Sequence, residues 1–185
     1  MRRPIIGMPG REQTLSYPVS EGLATLNQYI TLIHNYVVGG IASAQVIDAA
    51  RKVTARCQPY DAACETAKIY EFIRARFRYV AAPSRFGIEV MQTPEKMIED
   101  IENYGRATGE CEEMITLLAS MLGAVNHEVA LVYGGEKAGS QDNYRHVWAA
   151  DRLPSKGGWI HLDPTGYLDP GLHFEFETYG WDKLR

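Results

Sequence analysis

The strongest constraint on the fold is an apolar stretch in the second half of the chain. Apolar residues recur there at helical spacing, at Met114, Leu117, Leu118, Met121 and Leu122. This spacing predicts one helix that begins at about Glu110 or Cys111 and ends at Gly123. A helix this apolar is stable in water only when other elements cover it, so we expect it to be largely buried at the centre of the fold.

The segments before and after this helix carry different patterns. Helical spacing precedes it in four segments, from Ser20 to about Val38, from after Gly39-Gly40 to about Arg56, from the N-cap Asp61, and from Thr93-Pro94 to about Tyr104. Strand-like alternation follows it at 128–133, 144–150, 158–163 and 172–178. Residues 1 to about 19 resemble an extended arm, and 81–92 a loop. The order predicts an α+β fold with an antiparallel sheet. We expect one compact domain, with an N-terminal arm and appended helices at 1–56 and the core at 57–185.

Composition limits the classes of partner. The chain has 185 residues, 45% of them hydrophobic, with 19 Lys and Arg against 23 Asp and Glu. The basic residues are scattered, so we expect no nucleic acid partner. The most apolar stretch, 23–47, contains several polar residues and predicts no membrane span. Pro and Gly interrupt the basic N-terminus before a signal peptide could form, so we expect a cytoplasmic protein.

Three cysteines occur, at positions 57, 64 and 111. An odd number without an export signal favours reduced thiols. Cys57 and Cys64 flank a turn and could approach each other, but two part-buried thiols are the favoured expectation and a disulfide is the alternative. Neither lies in a spacing typical of zinc sites.

Cys111 stands at the start of the central helix. The partial positive charge and free N–H groups of a helix start lower a thiol's pKa and can bind an oxyanion. Glu110, Glu112 and Glu113 act in the opposite direction, so a protonated histidine would be needed to hold a thiolate. A buried cysteine without chemistry is the competing interpretation.

His146 and Asp163 lie on two strand-like segments that follow. If these segments form a symmetric hairpin centred between Pro154 and Ser155, the two residues face each other and a carboxylate can orient the imidazole towards a thiol. The same register pairs Trp148 with His161. Taken singly, His146 could be a surface histidine and Asp163 the first residue of a turn.

The motifs Gly-Glu-Cys-Glu-Glu at 109–113, His-Val-Trp at 146–148 and Gly-Trp-Ile-His-Leu-Asp-Pro-Thr at 158–165 resemble the transglutaminase-like superfamily of papain-like folds. The segments 77–80 and 91–94 further resemble its phage and prophage branch. The resemblance implies a triad of Cys111, His146 and Asp163 on a helix packed against an antiparallel sheet. Val147 departs from the alanine common at that position, and the chain has no tryptophan upstream of the cysteine.

The implied function is thiol-dependent acyl transfer on protein or peptide amides, as a peptidase, deamidase or transglutaminase-like enzyme, without a cofactor. For the second oxyanion donor the candidates are Gln92, Asn103 and Tyr104, with Gln92 preferred. Trp148 and His161 are expected to support the triad, and the connection 134–143 could gate it, although a solvated loop is favoured. His34 and His127 receive no role.

Two other functions stay open. The first is a non-catalytic virion, assembly or interaction protein of a phage that retains the fold. The second and least favoured is a metal site built from Cys111, His146, His161 and Asp163, whose ligand types suit a metal but whose spacing does not.

Overall fold

The computed structural model describes residues 14–18, 23–80, 88–135, 144–153, 157–166 and 177–183. Their helices are α1 Leu23–Ala42, α2 Ala44–Thr54, α3 Ala62–Arg76, α4 Pro94–Tyr104 and α5 Cys111–Ala124. Their strands are β1 Thr14–Pro18, β2 Phe77–Tyr79, β3 Ile88–Gln92, β4 Ala107–Gly109, β5 Val129–Gly135, β6 Tyr144–Leu153, β7 Gly158–Leu162 and β8 Glu177–Lys183. The predicted α+β class is confirmed.

The central helix α5 organises the core. It packs against α1, α2, α3 and α4 and against the strands β5 and β6. Its apolar residues are buried, among them Ile115, Leu117, Leu118, Met121 and Leu122. The sheet has the order β7-β6-β5-β8, with antiparallel neighbours throughout. The prediction of a buried helix on an antiparallel sheet is therefore confirmed.

Several helix ends follow from local chemistry that the sequence displays. The carboxylate of Asp61 accepts a hydrogen bond from the backbone N–H of Cys64, at 3.0 Å, where α3 begins. The hydroxyl of Thr93 caps α4 in the same way, with proline in its first turn. Gly105 ends α4 in the left-handed conformation, with φ of +79°. Each cap satisfies backbone groups that a helix end leaves unpaired.

The predicted end of α1 is wrong. The helix does not stop at Gly39-Gly40 but continues to Ala42, and Ser43 separates it from α2. Gly40 is needed there because α1 crosses α5 closely. A Cβ at Gly40 would lie 2.5 Å from the Ser120 hydroxyl oxygen. Packing therefore outweighs the low helix propensity of glycine.

Two pairs of strands lie outside the main sheet. β1 pairs antiparallel with β3, so Thr14–Pro18 is not a free arm and Ile88–Gln92 is not loop, as had been expected. β2 pairs in parallel with β4, which lies between the helix predicted to end at about Tyr104 and the central helix. Both depend on partners distant in sequence, which short segments without clear alternation do not reveal. Expectations for 1–13, 81–87, 136–143 and 171–176 lie outside the described residues.

Cys57 and Cys64 form a disulfide, with their Cα atoms 5.7 Å apart. The expectation of two reduced thiols is wrong for this structure. Tyr60, between them, has a positive φ of 66°, and this turn carries the chain back towards the first turn of α3. Cys111 is the free cysteine of the described residues.

His127, which received no role from the sequence, joins a buried polar cluster. Its Nδ1 lies 2.9 Å from an Asp151 carboxylate oxygen, and its Nε2 lies 3.0 Å from a Glu65 oxygen. The hydroxyl of Thr66 donates to Asp151 at 2.5 Å. We call Glu65, Thr66, His127 and Asp151 the α3 cluster, because it connects α3 to β6 and to the segment between α5 and β5.

No single helix in the described part of the chain has the length and hydropathy to cross a bilayer. The segments Gln28–Ala42 and Ala44–Thr54 reach the required length and hydropathy only together, across a bend of 71°.

Candidate active site

Cys111 is the first residue of α5 and its side chain is buried. The thiol donates a hydrogen bond to an Oε of Glu112, with 3.2 Å between sulfur and oxygen. Burial raises the pKa of the Cys111 thiol, and the charge and hydrogen bond of Glu112 raise it further, whereas a hydrogen bond from the backbone N–H of Val147 lowers it. The resting group is therefore a thiol, and it lies against β6.

His146 and Asp163 are bonded to each other. His146 Nε2 lies 2.8 Å from Asp163 Oδ2, and both side chains are almost fully buried. Asp163 Oδ1 accepts hydrogen bonds from the backbone N–H and the hydroxyl of Thr165, at 3.0 and 2.6 Å. The tautomer that suits this carboxylate has its proton on Nε2, which leaves Nδ1 as the basic nitrogen of His146.

β6 brings this pair to the cysteine. His146 immediately precedes Val147, whose backbone N–H contacts the sulfur of Cys111. The start of α5 therefore lies against β6 next to His146, the residue that contacts Asp163.

The predicted hairpin register is wrong by two residues. Ala150, not Trp148, pairs with His161, and Leu153 pairs with Gly158. The strands pair up to the left-handed Gly157, with φ of +70°, so the centre of the hairpin lies one residue later than predicted. A shift of two residues keeps side chains on the same face of a sheet. His146 and Asp163 are thus diagonal rather than direct neighbours, and diagonal neighbours remain within reach of long side chains.

Trp148 and His161 lie beside the pair. The indole N–H of Trp148 donates to His161 Nδ1 at 2.7 Å. The indole ring also stacks on His146, with ring centroids 6.0 Å apart and planes at 23°. Burial lowers the pKa of His161, which suits its role as an acceptor through Nδ1. His161 thus orients Trp148, and Trp148 orients the ring of His146.

Gln92 lies at the end of β3 and its amide is engaged elsewhere. Its side-chain N–H donates to the carbonyl of Thr108 on β4, at 2.9 Å. The alternative donors, Asn103 and Tyr104, are exposed at the end of α4. An oxyanion role for Gln92 stays a prediction.

The sequence did not point to Glu113, which supports the start of α5. Its carboxylate accepts the backbone N–H of Glu110 at 2.9 Å and also receives backbone hydrogen bonds from Gln92 and its own residue. Burial raises the pKa of Glu113 to about 7. A Cβ at Gly109 would lie 2.9 Å from Glu113 Cβ, so only glycine fits in front of this side chain. Its position three residues after the N-cap was the available signal.

Tyr79 is a second residue that the sequence did not assign to the site. It pairs with Gly109 at the end of β2, and its side chain is half-exposed. Burial raises the pKa of its hydroxyl, as do the charges of Cys111 and of the glutamates at 110, 112 and 113. Its hydroxyl therefore stays protonated near neutral pH, close enough to Cys111 for the two groups to interact electrostatically.

The described residues contain no group of three or more His, Cys, Asp or Glu side chains arranged to hold a metal ion. The metal site considered for Cys111, His146, His161 and Asp163 therefore has no geometric support in that part of the chain. Cys111 is hydrogen-bonded to Glu112, His146 to Asp163, and His161 to Trp148.

The sequence model of the transglutaminase-like superfamily matches residues 47–164, more than half of the chain. The chain belongs to this superfamily. The matched range contains α3, α5, the β5–β6–β7 part of the sheet and all three predicted triad residues. A comparison with curated proteins gave no match.

Two solved structures are similar in fold. A candidate cysteine protease from Cytophaga hutchinsonii has 12% identity and a TM-score of 0.48, over 70% of this chain and 42% of that protein. A candidate protease from Parabacteroides distasonis has 18% identity and a TM-score of 0.45, over 70% of this chain and 26% of that protein. This member of the transglutaminase-like superfamily thus spans less than half the length of either protein.

Proposed function

We propose that this protein is a thiol-dependent acyl-transfer enzyme that acts on protein or peptide amides. One observation carries the proposal: a buried His146–Asp163 pair lies beside the only free cysteine of the described residues, at a helix start. A nucleophile, a base and a group that orients the base are the minimum for covalent acyl transfer.

In the first half of the reaction, Nδ1 of His146 accepts the proton of Cys111, and Asp163 stabilises the resulting imidazolium. The sulfur attacks the amide carbon, and the backbone N–H of Cys111 stabilises the oxyanion. His146 then gives its proton to the amine nitrogen, the C–N bond breaks, and a thioester remains on Cys111.

In the second half, water or a primary amine attacks the thioester. His146 takes a proton from the attacking group, the C–S bond breaks, and the thiol regains a proton. Water gives peptidase or deamidase activity, whereas an amine gives cross-linking. Both fates use the same three residues.

The test is acylation of the purified protein by p-nitrophenyl acetate, which needs no knowledge of the natural substrate. We expect nitrophenol release over several turnovers and one acetyl group on Cys111, found by peptide mass spectrometry. Cys111→Ala should abolish both. Asp163→Asn should reduce the rate by up to about 10⁴-fold, the loss that the same change causes in a Ser-His-Asp triad.

The matched control is Asp48→Asn, because Asp48 is an exposed carboxylate on α2. It should leave the acylation rate unchanged. Equal nitrophenol release from wild type and Cys111→Ala would refute the proposal and favour a non-catalytic role for the fold. Adding a primary amine to the acylated protein then distinguishes amide formation from hydrolysis.

A further inference from the structure

The contact between Cys111 and Glu112 is unusual for neighbours on a helix. Consecutive helical residues point about 100° apart and do not normally face each other. Here the Glu112 carboxylate nevertheless lies 3.2 Å from the sulfur. An acidic residue in a first turn already interacts favourably with the helix dipole, which does not require it to contact the preceding side chain.

This contact competes with catalysis for one proton. A thiol has a single hydrogen, and in the structure it is directed to Glu112. Attack requires the same hydrogen to pass to Nδ1 of His146, since Nε2 is bonded to Asp163. A thiolate and a carboxylate at this distance in a buried site would repel each other strongly.

We propose that Glu112 holds Cys111 as an unreactive thiol in the resting protein, and that its carboxylate must leave the sulfur before His146 can take the proton. Glu112 is thus a positioning residue that keeps the nucleophile inactive until the site is occupied. The inference rests on the proposed acyl-transfer function and adds a means of regulating the same site.

The other charged groups around the sulfur do not replace Glu112. Burial and Glu112 are the largest causes that raise the pKa of Cys111, and the charge of Glu110 has a smaller effect. Glu113 is turned towards backbone N–H groups, and Tyr79 contributes a neutral hydroxyl. His146, on β6, directly precedes Val147, whose backbone N–H contacts the sulfur.

The test is the pH profile of Cys111 alkylation by iodoacetamide without reducing agent, so that the Cys57–Cys64 disulfide stays closed. Glu112→Gln keeps the size of the side chain and removes its charge. We expect the alkylation midpoint to fall by about one pH unit or more. At pH 7, each pH unit by which the midpoint falls should increase the alkylation rate by about threefold. The increase is less than about tenfold because a less basic thiolate is also a weaker nucleophile.

Glu110→Gln is the matched control, since it removes the same charge from the other neighbour of Cys111 without removing a thiol contact. It should shift the midpoint less than Glu112→Gln does. Glu112→Ala is a second variant that should shift it in the same direction. An unchanged or higher midpoint in both Glu112 variants, or an equal shift in Glu110→Gln, would overturn the inference.

This result is separable from that of the acylation test. A lower midpoint in Glu112→Gln together with no acyl transfer by either wild type or Glu112→Gln would support the control of the thiol and refute the enzyme. Acyl transfer by wild type together with an unchanged midpoint in Glu112→Gln would support the enzyme and refute the control of the thiol by Glu112.

Discussion

Asp163 is hydrogen-bonded both at its carboxylate and at its backbone carbonyl. Its carboxylate bonds His146 and Thr165, and its backbone carbonyl accepts a hydrogen bond from the Tyr70 hydroxyl at 2.8 Å. Tyr70 belongs to α3 and lies 93 residues before Asp163, so a helix distant in sequence supports the residue that orients the base. A carboxylate restrained in this way loses little freedom when it holds an imidazolium, which favours catalysis.

Replacing Tyr70 should reveal this support. Tyr70→Phe removes one hydrogen bond and leaves the ring, so we expect a stability loss of about 1 kcal/mol. If the same energy is lost in the transition state, the acylation rate by p-nitrophenyl acetate falls about fivefold. Tyr60→Phe is the control, because Tyr60 is fully exposed. An acylation rate in Tyr70→Phe equal to that of the control would show that Tyr70 does not position Asp163.

Sequence reasoning predicted that His146 and Asp163 lie close together, but it did not predict their register or most of the contacts around them. Cys111, His146 and Asp163 lie in short motifs, and their faces follow from strand alternation. The register depended on where the connection between β6 and β7 is centred, and a connection of this length allows more than one centre. The contacts of Tyr70 and Glu112 depend on tertiary packing and on rotamers, for which no local pattern exists.

At the level of elements, α1 and α5 approach each other at two glycines. A Cβ at Gly40 would meet Ser120 at 2.5 Å and Pro94 at 2.8 Å, and a Cβ at Gly123 would meet the side chain of Ile41 at 2.5 Å. At each of these two contacts, one helix has a glycine and the other has a larger side chain. The close crossing keeps α5, and Cys111 at its start, in place beneath the sheet.

Gly39 and Gly40 provide a matched pair of variants for this crossing. Gly40→Ala should lower the free energy of unfolding by about 1–3 kcal/mol, because its methyl group overpacks the interface. Gly39→Ala should raise it by up to about 1 kcal/mol, because nothing lies within 4 Å and alanine favours the helix. Denaturant unfolding measures both. Equal effects would mean that the two helices do not meet as closely as the structure indicates.

The same glycines explain an incorrect element boundary. A pair of glycines usually marks the end of a helix, and α1 was expected to stop there. Strong local signals worked elsewhere: Asp61 and Thr93-Pro94 begin their helices as predicted. The strands β1 to β4 could not be predicted in this way, since their pairing is non-local and none exceeds five residues.

For the whole molecule, the α3 cluster connects the helical part of the fold to the sheet. Asp151 is completely buried on β6, and His127 is nearly so. Burial lowers the pKa of His127, but hydrogen bonds and charges from Asp151 and Glu65 outweigh it and raise the pKa overall. Because α3 also carries Tyr70, the cluster fixes the helix that supports Asp163.

The cluster predicts how stability depends on pH. The pKa of His127 is higher in the folded than in the unfolded protein, so the folded protein binds the proton more tightly. Its stabilising contribution is therefore complete below about pH 6.5, the unfolded value, and is lost as pH rises through the higher folded pKa. His127→Gln cannot be protonated, so the stability difference between wild type and variant should be largest below pH 6.5, at about 3 kcal/mol.

Urea unfolding between pH 5.5 and 9 measures this difference, with His34→Gln on α1 as the control for losing a histidine outside the cluster. A difference that narrows with rising pH in His127→Gln alone identifies a charged bridge between two carboxylates. A difference that stays constant would mean that His127 stabilises the fold by packing. If the bridge is charged, α3 holds Asp163 less firmly in alkaline solution, where His127 has lost its proton. Tyr70→Phe should then reduce the acylation rate by a larger factor at low pH than at high pH.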